Sequence, residues 1–512
     1  MTTVKLNSIP ALFAPVGVQD SYYDALMQDV YERPICAPFD QEKVRLSTSG
    51  SSTTYADYMR FVQEDVMPSV INVASRFYIG HMTGPVPPFL FHLNKELIRM
   101  NQNQVKIETS GIGSDIEREV LSWFHRLVFN SDSAFYDTYT HASITALGVF
   151  TSGGTLSNVT ALQYALAKTL ADDHAGVNEV GLLKALQEKG YTKVVIFASS
   201  LYHYSIKKAA KLMGIGKQAV ISFYWDKANP NDSAADLKKA IEREQQQGAL
   251  VLSLVGVAGT TESGEIDPLQ ELANIARITG VHFHVDAAYG GAFLLSSSAE
   301  ALAGIEQADT VTICGHKQLY MPIGCSMVLF RSAEFASYSE NNTNYQARKG
   351  GLDLGKFTLE GTRPFSAFLM HAAIRMHGER GYTEVLNTNL DLSHVYYNTL
   401  NKSNFVDIYA KPELNILLYR FVPNELMNAA KTGSLDEQQA SELNQLNKRL
   451  QQQQFAEGRY FVSFTKVFDQ ALGRDMVWLR SVFMNPFTSE KDMTEVFQDQ
   501  ERIFNLYLQE SR

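Results

Sequence analysis

The chain has 512 residues, 45% hydrophobic and 20% charged, with 45 basic against 55 acidic side chains and a formal net charge of −10. That balance excludes a disordered or fibrous chain, and without a Lys/Arg block it argues against nucleic acid or an anionic membrane as the main partner. Only Cys36, Cys314 and Cys325 are present, which suits neither a disulfide scaffold nor a zinc site and fits a reducing cytoplasm.

At about 150 residues per domain the length predicts roughly three domains. Ile9 to Val18 is short and carries Pro10 and Pro15, so it reads as a docking arm rather than a signal peptide, and nothing approaches the ~20 apolar residues of a membrane span. Residues 1–110 alternate helical segments with Pro-rich loops such as Pro85-Val86-Pro87-Pro88; an N-terminal arm and helical dimerisation segment, packed on a second subunit, is expected.

Residues 111–381 are expected to form a large α/β domain. Between Thr151 and Arg331, β-branched runs alternate with helical stretches, the pattern of a mostly parallel sheet covered by helices. The runs are Val194 to Ala198, Ala219 to Phe223, Leu250 to Val255, Val281 to Val285, Thr310 to Cys314 and Cys325 to Phe330. Ser233 with Asp236 predicts a capping box, and Gly248 the end of that helix. Asp267-Pro268 opens the next helix and Gly280 closes it. Residues 382–512 are expected to form a smaller α+β domain, with antiparallel strands at Leu414 to Val422, Tyr460 to Phe468 and Val477 to Phe483, and a last helix near Thr488. Within it the Gln-rich stretch Leu435 to Gln454 carries Leu443, Leu446 and Leu450 at helical spacing, which predicts an exposed amphipathic helix.

Two strand ends carry the most chemistry. One reads Val285-Asp286-Ala287-Ala288-Tyr289-Gly290-Gly291, the other leads into Gly315-His316-Lys317. The carboxyl ends of strands line the ligand crevice of such sheets, so a carboxylate and an amine are delivered to one place. Alone, Asp286 could cap a turn and Lys317 could be a surface lysine. The segment Phe150-Thr151-Ser152-Gly153-Gly154-Thr155-Leu156-Ser157-Asn158 leads into a helix, where free N–H groups and the positive helix end hold a phosphate. It matches neither the dinucleotide-binding G-x-G-x-x-G nor the P-loop. Phosphate loop, acidic residue and lysine, in that order, suggest pyridoxal 5′-phosphate.

At this point the sequence resembles the group II pyridoxal-phosphate-dependent amino-acid decarboxylases, the family of glutamate, aromatic amino-acid and histidine decarboxylases. The resemblance runs from about Tyr78 to the C-terminal helix. It is carried by Thr151 to Thr155, His203 with Lys207-Lys208-Ala209, Gly259-Thr260-Thr261 with Gly264 and Asp267, His284 to Gly291, and His316-Lys317. It implies the type I, aspartate aminotransferase-like fold of pyridoxal-phosphate-dependent transferases and a homodimer with active sites at the subunit interface. It also implies a small amino-acid substrate.

By that resemblance Lys317 carries the cofactor covalently, Asp286 partners the pyridine nitrogen and His203 stacks on the ring. Gly154 and Thr155 and, less closely, Ser157 and Asn158 match phosphate contacts; Thr260 lies near the ring, Ala288 touches its face, and His316 helps hold the phosphate. Arg480, in Trp478-Leu479-Arg480-Ser481, matches an arginine that grips a substrate carboxylate, a task suited to its planar fork. Ser332 to Gly355 resembles a mobile catalytic loop whose proton-donating tyrosine is Tyr345, with Tyr338 in reserve, and Arg363 in Gly361-Thr362-Arg363-Pro364 has a structural role. Animal-type glutamate decarboxylases have Pro-Arg-Phe-Phe-Asn-Gln where this chain reads Pro87-Pro88-Phe89-Leu90-Phe91-His92. With His92 at the Gln position, and His81 and Thr83 lining the pocket, aspartate becomes the first choice of substrate over glutamate or cysteine sulfinate. A carbon–sulfur lyase or aminotransferase on the same fold is the rival reading. A catalytically silent member would not need every one of these residues.

Overall fold

A computed structural model describes residues 10–13, 35, 52–171, 176–340 and 351–510. They divide into two compact units. The larger comprises Ala11–Phe13 and Pro87–Leu386, and the smaller Pro10 with the described residues of Ala14–Val86 and of Asn387–Arg512. The boundary falls within the helical stretch Ser366–Leu400, which is broken at Gly378 by a φ of 58°.

The larger unit is built on seven strands: β1 (Gly148–Thr151), β2 (Lys193–Ser199), β3 (Val220–Phe223), β4 (Ala249–Val257), β5 (His282–Asp286), β6 (Thr310–Cys314) and β7 (Ser326–Phe330). Their order is β1-β7-β6-β5-β4-β2-β3. Only β7 runs against the others. Central β4 is buried along its whole length, as expected of a parallel strand covered on both faces. Each fully buried Leu or Val there contributes on the order of 1.5–3 kcal/mol. The helix Gly154–Thr169 packs on β6 and β7, and Leu269–Thr279 on β4 and β5.

The strands predicted for the larger unit are present within about two residues at each end, and Gly280, at φ 68°, ends its helix as expected. The capping box at Ser233 is not formed. That helix begins at Pro230, whose fixed φ suits a first turn, and the Ser233 hydroxyl accepts the Asp226 N–H at 2.9 Å. Strand β1 was hidden in sequence because its four residues run straight into the glycine loop.

The smaller unit holds an antiparallel sheet of β8 (Val406–Ile408), β9 (Ile416–Phe421), β10 (Ser463–Asp469) and β11 (Arg474–Val482), ordered β10-β11-β9-β8. The Gln-rich stretch is the helix Glu437–Ala456, opened by a capping box between Asp436 and Gln439. It is less exposed than its composition suggests. Leu443, Leu446 and Leu450 are buried, and so are Gln451 and Gln454, whose amides donate to the Val462 carbonyl and the Asp499 carboxylate at 3.0 Å each. Among the described residues no helix is long and apolar enough to cross a membrane.

Candidate active site

The C-terminal ends of β1, β2, β4, β5 and β6 open onto one cavity of about 330 Å³. Each strand delivers its chemistry just past its end: Gly153 to Thr155 after β1, Asp286 and Ala288 from β5, His316 and Lys317 after β6, and His203 after β2. The crevice outside the strand ends is thus where the sequence placed it.

The loop after β1 meets the helix Gly154–Thr169 at its first turn, where amide groups lack partners within the helix. A Cβ on Gly153 would have no heavy atom within 4 Å, so its backbone stands beside open space. On Gly154 a Cβ would lie 2.8 Å from Cys314 Sγ. One glycine lets a ligand approach the amides, and the other lets the helix start close against β6.

Asp286 is buried, its Oδ1 taking the Ala288 N–H at 3.1 Å and its Oδ2 the Asn158 amide at 2.7 Å. Burial lowers the pKa of His203; the Asp286 charge opposes that shift, and Lys317 and Lys208 add to it. Burial therefore favours the neutral ring of His203. Lys317 Nζ lies 6.0 Å from the Tyr289 ring centroid. His316 donates from Nδ1 to the Cys325 carbonyl at 3.1 Å. Only its Nε2 is left for a phosphate, to which it can donate as an imidazolium, a form that burial disfavours. A helix start for a phosphate, a buried carboxylate, a neutral ring and an amine in one cavity fit a phosphorylated pyridine aldehyde.

Of the expected cofactor residues, Gly154, Thr155, Asn158, His203, Asp286, Ala288, His316 and Lys317 line this cavity. Ser157 and Thr260 do not. The Ser157 hydroxyl is turned to that of Thr151 at 2.7 Å, and the Thr260 hydroxyl to that of Ser263 at 2.9 Å, in the turn that brings Thr261 to the wall. Sequence reading missed Thr261 and Cys314, although both sit inside or beside the quoted motifs. It also took Asn158 for a phosphate contact, whereas its amide nitrogen faces Asp286.

Arg480 and Thr83 belong to the smaller unit. Arg480 is buried on β11, its Nε donating to Ser463 Oγ at 3.0 Å and its Nη2 to the Gly80 carbonyl at 3.3 Å. Thr83 is half-buried beside His81, with Oγ1 3.0 Å from its Nδ1. His92 stands exposed on the helix Phe89–Met100 of the larger unit. Tyr338 is 40% exposed, and Tyr345 lies outside the described residues. Arg363 is buried in an ion pair with Glu117 and donates to the Gln104 carbonyl at 2.9 Å, which suits a structural role.

The family described as "Pyridoxal-dependent decarboxylase conserved domain" matches residues 96–422. Aspartate 1-decarboxylase of Aliivibrio fischeri is 37% identical over 479 residues, 92% of this chain and 87% of that protein. L-2,4-diaminobutyrate decarboxylase of Rhizobium meliloti is 32% identical over 54% of this chain and 53% of that protein. The crystal structure of mouse CSAD superposes with a TM-score of 0.78 at 21% identity, covering 94% of this chain and 99% of that one. With the cavity's carboxylate, lysine and glycine loop set where a phosphorylated pyridine fits, the chain belongs to the pyridoxal-dependent amino-acid decarboxylases and uses pyridoxal 5′-phosphate.

Proposed function

We propose that the protein removes the α-carboxylate of L-aspartate, giving β-alanine and carbon dioxide. The observation that carries this choice is the 37% identity to an aspartate 1-decarboxylase over 92% of the chain. Bound pyridoxal phosphate supplies an electron sink for the pair left at the α-carbon. Lys317 Nζ is assigned as the amine that would hold the cofactor. Asp286, anchored on both oxygens, keeps a proton on the ring nitrogen, and neutral His203 packs against the ring. Gly154, Thr155 and His316 hold the phosphate, with Ala288 on the ring face. Ser157 and Thr260 support the surrounding turns through the hydroxyl contacts they make.

Arg480 is assigned to a substrate carboxylate, with Thr83 and His92 shaping the pocket. Tyr345 returns a proton to the α-carbon, and proton delivery to that atom rather than to the cofactor separates decarboxylation from transamination. The reading includes a cytoplasmic homodimer with active sites at the subunit interface, residues 1–110 forming its arm, residues 111–381 the cofactor domain and residues 382–512 the smaller domain. Tyr55 and Tyr58, exposed at 82% and 54% on the helix Tyr55–Phe61, support a covered surface there.

The test is carbon dioxide release from aspartate, glutamate, cysteine sulfinate, 2,4-diaminobutyrate and aromatic amino acids, with Lys317→Ala as the blank. Aspartate is expected to give the highest kcat/KM. A higher value for another member of the panel would overturn the substrate assignment, and rapid keto-acid exchange without carbon dioxide would favour the aminotransferase reading.

A further inference from the structure

Asn158 is 1% exposed on the first turns of the helix Gly154–Thr169, and all its amide groups are engaged. Its Nδ2 donates to Asp286 Oδ2 at 2.7 Å and to Ser205 Oγ at 2.9 Å, and its Oδ1 lies 3.1 Å from His284 Nε2. The directions are forced. A carboxylate accepts, so the amide nitrogen must face Asp286 and the amide oxygen His284. His284 then donates from Nε2, and its Nδ1 accepts from Thr310 Oγ1 at 2.9 Å.

On the other branch, the Ser205 hydroxyl accepts from Asn158 and passes its own hydrogen to His203 Nδ1 at 2.8 Å. The Ser205 backbone N–H points to the same nitrogen at 3.3 Å. Two donors on Nδ1 leave the neutral His203 ring with its proton on Nε2.

We propose that Asn158 is a positioning residue: one buried amide both fixes the Asp286 carboxylate and, through Ser205, sets the Nε2–H tautomer of His203. The two side chains assigned to the cofactor ring are thereby tuned from a single branch point. This rests on the pyridoxal-phosphate reading of the cavity and adds to it a residue that acts through others. Connected hydrogen bonds of this kind strengthen one another away from water.

The test uses Asn158→Ala, the isosteric Asn158→Asp and Ser205→Ala in the full chain. Two readouts are taken: the His203 tautomer by nitrogen-15 NMR of the cofactor-free protein, with His203→Gln to identify the signal, and the dissociation constant of pyridoxal phosphate by fluorescence quenching. Ser205→Ala is expected to mix the His203 tautomers while changing cofactor affinity less than about twofold. Asn158→Ala and Asn158→Asp are expected to mix the tautomers and weaken cofactor binding roughly tenfold or more, as loss of a hydrogen bond to a charged group implies.

An unchanged tautomer in both Asn158 variants overturns the proposal. So does Ser205→Ala weakening the cofactor as much as Asn158→Ala, since general repacking would then explain both. An Asp286→Asn variant that binds the cofactor like wild type would instead count against the role of Asp286, and the tautomer readout, taken without cofactor, would still decide the Ser205 branch.

Discussion

Gly154 and Cys314 bring the helix that follows β1 against the end of β6, so closely that a Cβ on Gly154 would stand 2.8 Å from Cys314 Sγ and 3.5 Å from Ala288 Cβ. Cys314 is buried and paired with Ser326 of β7, so it has little room to give. Gly154→Ala should therefore push the first helical turn out of line rather than merely fill space. Overpacking of this kind costs about 1–3 kcal/mol, so the variant is expected to bind pyridoxal phosphate roughly tenfold more weakly with little loss of folded protein. Equilibrium dialysis of the cofactor beside far-ultraviolet circular dichroism checks this. Gly153→Ala, whose Cβ meets no protein atom within 4 Å, separates crowding against the protein from crowding against the ligand.

His284 gives the fold a sensitivity to acid. It is fully buried behind Asn158, and burial pushes its pKa down from 6.5 to about 4, against the opposing pull of the Asp286 charge. As pH falls, the unfolded chain takes up the proton first. The stability from a neutral His284 is present above about 6.5 and is lost as pH falls towards about 4. Between about pH 7 and about pH 5 the loss is on the order of 2 kcal/mol for this residue. His282 and His125, also held near 4 by burial, add to the same trend. His284→Gln keeps a donor for Asn158 Oδ1 without a group that titrates in this range. Urea unfolding at the two pH values should show a smaller difference for that variant than for wild type; an equal difference would remove His284 as a source of the acid sensitivity.

Much of the larger unit was legible because its strands are β-branched and its helices end at glycines, so period and punctuation agree. The strand ends then fixed where Asp286, Lys317 and His203 had to meet. Less legible were features made by contact across the sequence. Ser157 and Thr260 sit in the right motifs, but which way a hydroxyl turns depends on Thr151 and Ser263. Asn158 read as a phosphate contact because it follows the glycine loop; only the register that brings β5 beside its helix gives it Asp286. Gln451 and Gln454 read as solvent-facing because composition cannot show the Val462 carbonyl and the Asp499 carboxylate that receive them.

On the proposed reading, Arg480 is the residue that sets substrate choice. It is buried, opposite Ser463 in the β10–β11 ladder, and held by the Ser463 hydroxyl and the Gly80 carbonyl. A guanidinium fixed in this way presents a planar fork, whereas a lysine at the same place offers a single rotating ammonium. If Arg480 grips the substrate carboxylate, Arg480→Lys should raise KM for aspartate roughly tenfold to a hundredfold, the scale of one charge-assisted bond, at unchanged cofactor content. Ser463→Ala loosens the fork without removing its charge and should raise KM by a smaller factor. Steady-state kinetics on both variants, with unfolding measured alongside, decide the role: a fall in stability with KM unchanged would make Arg480 a strut of the β10–β11 ladder.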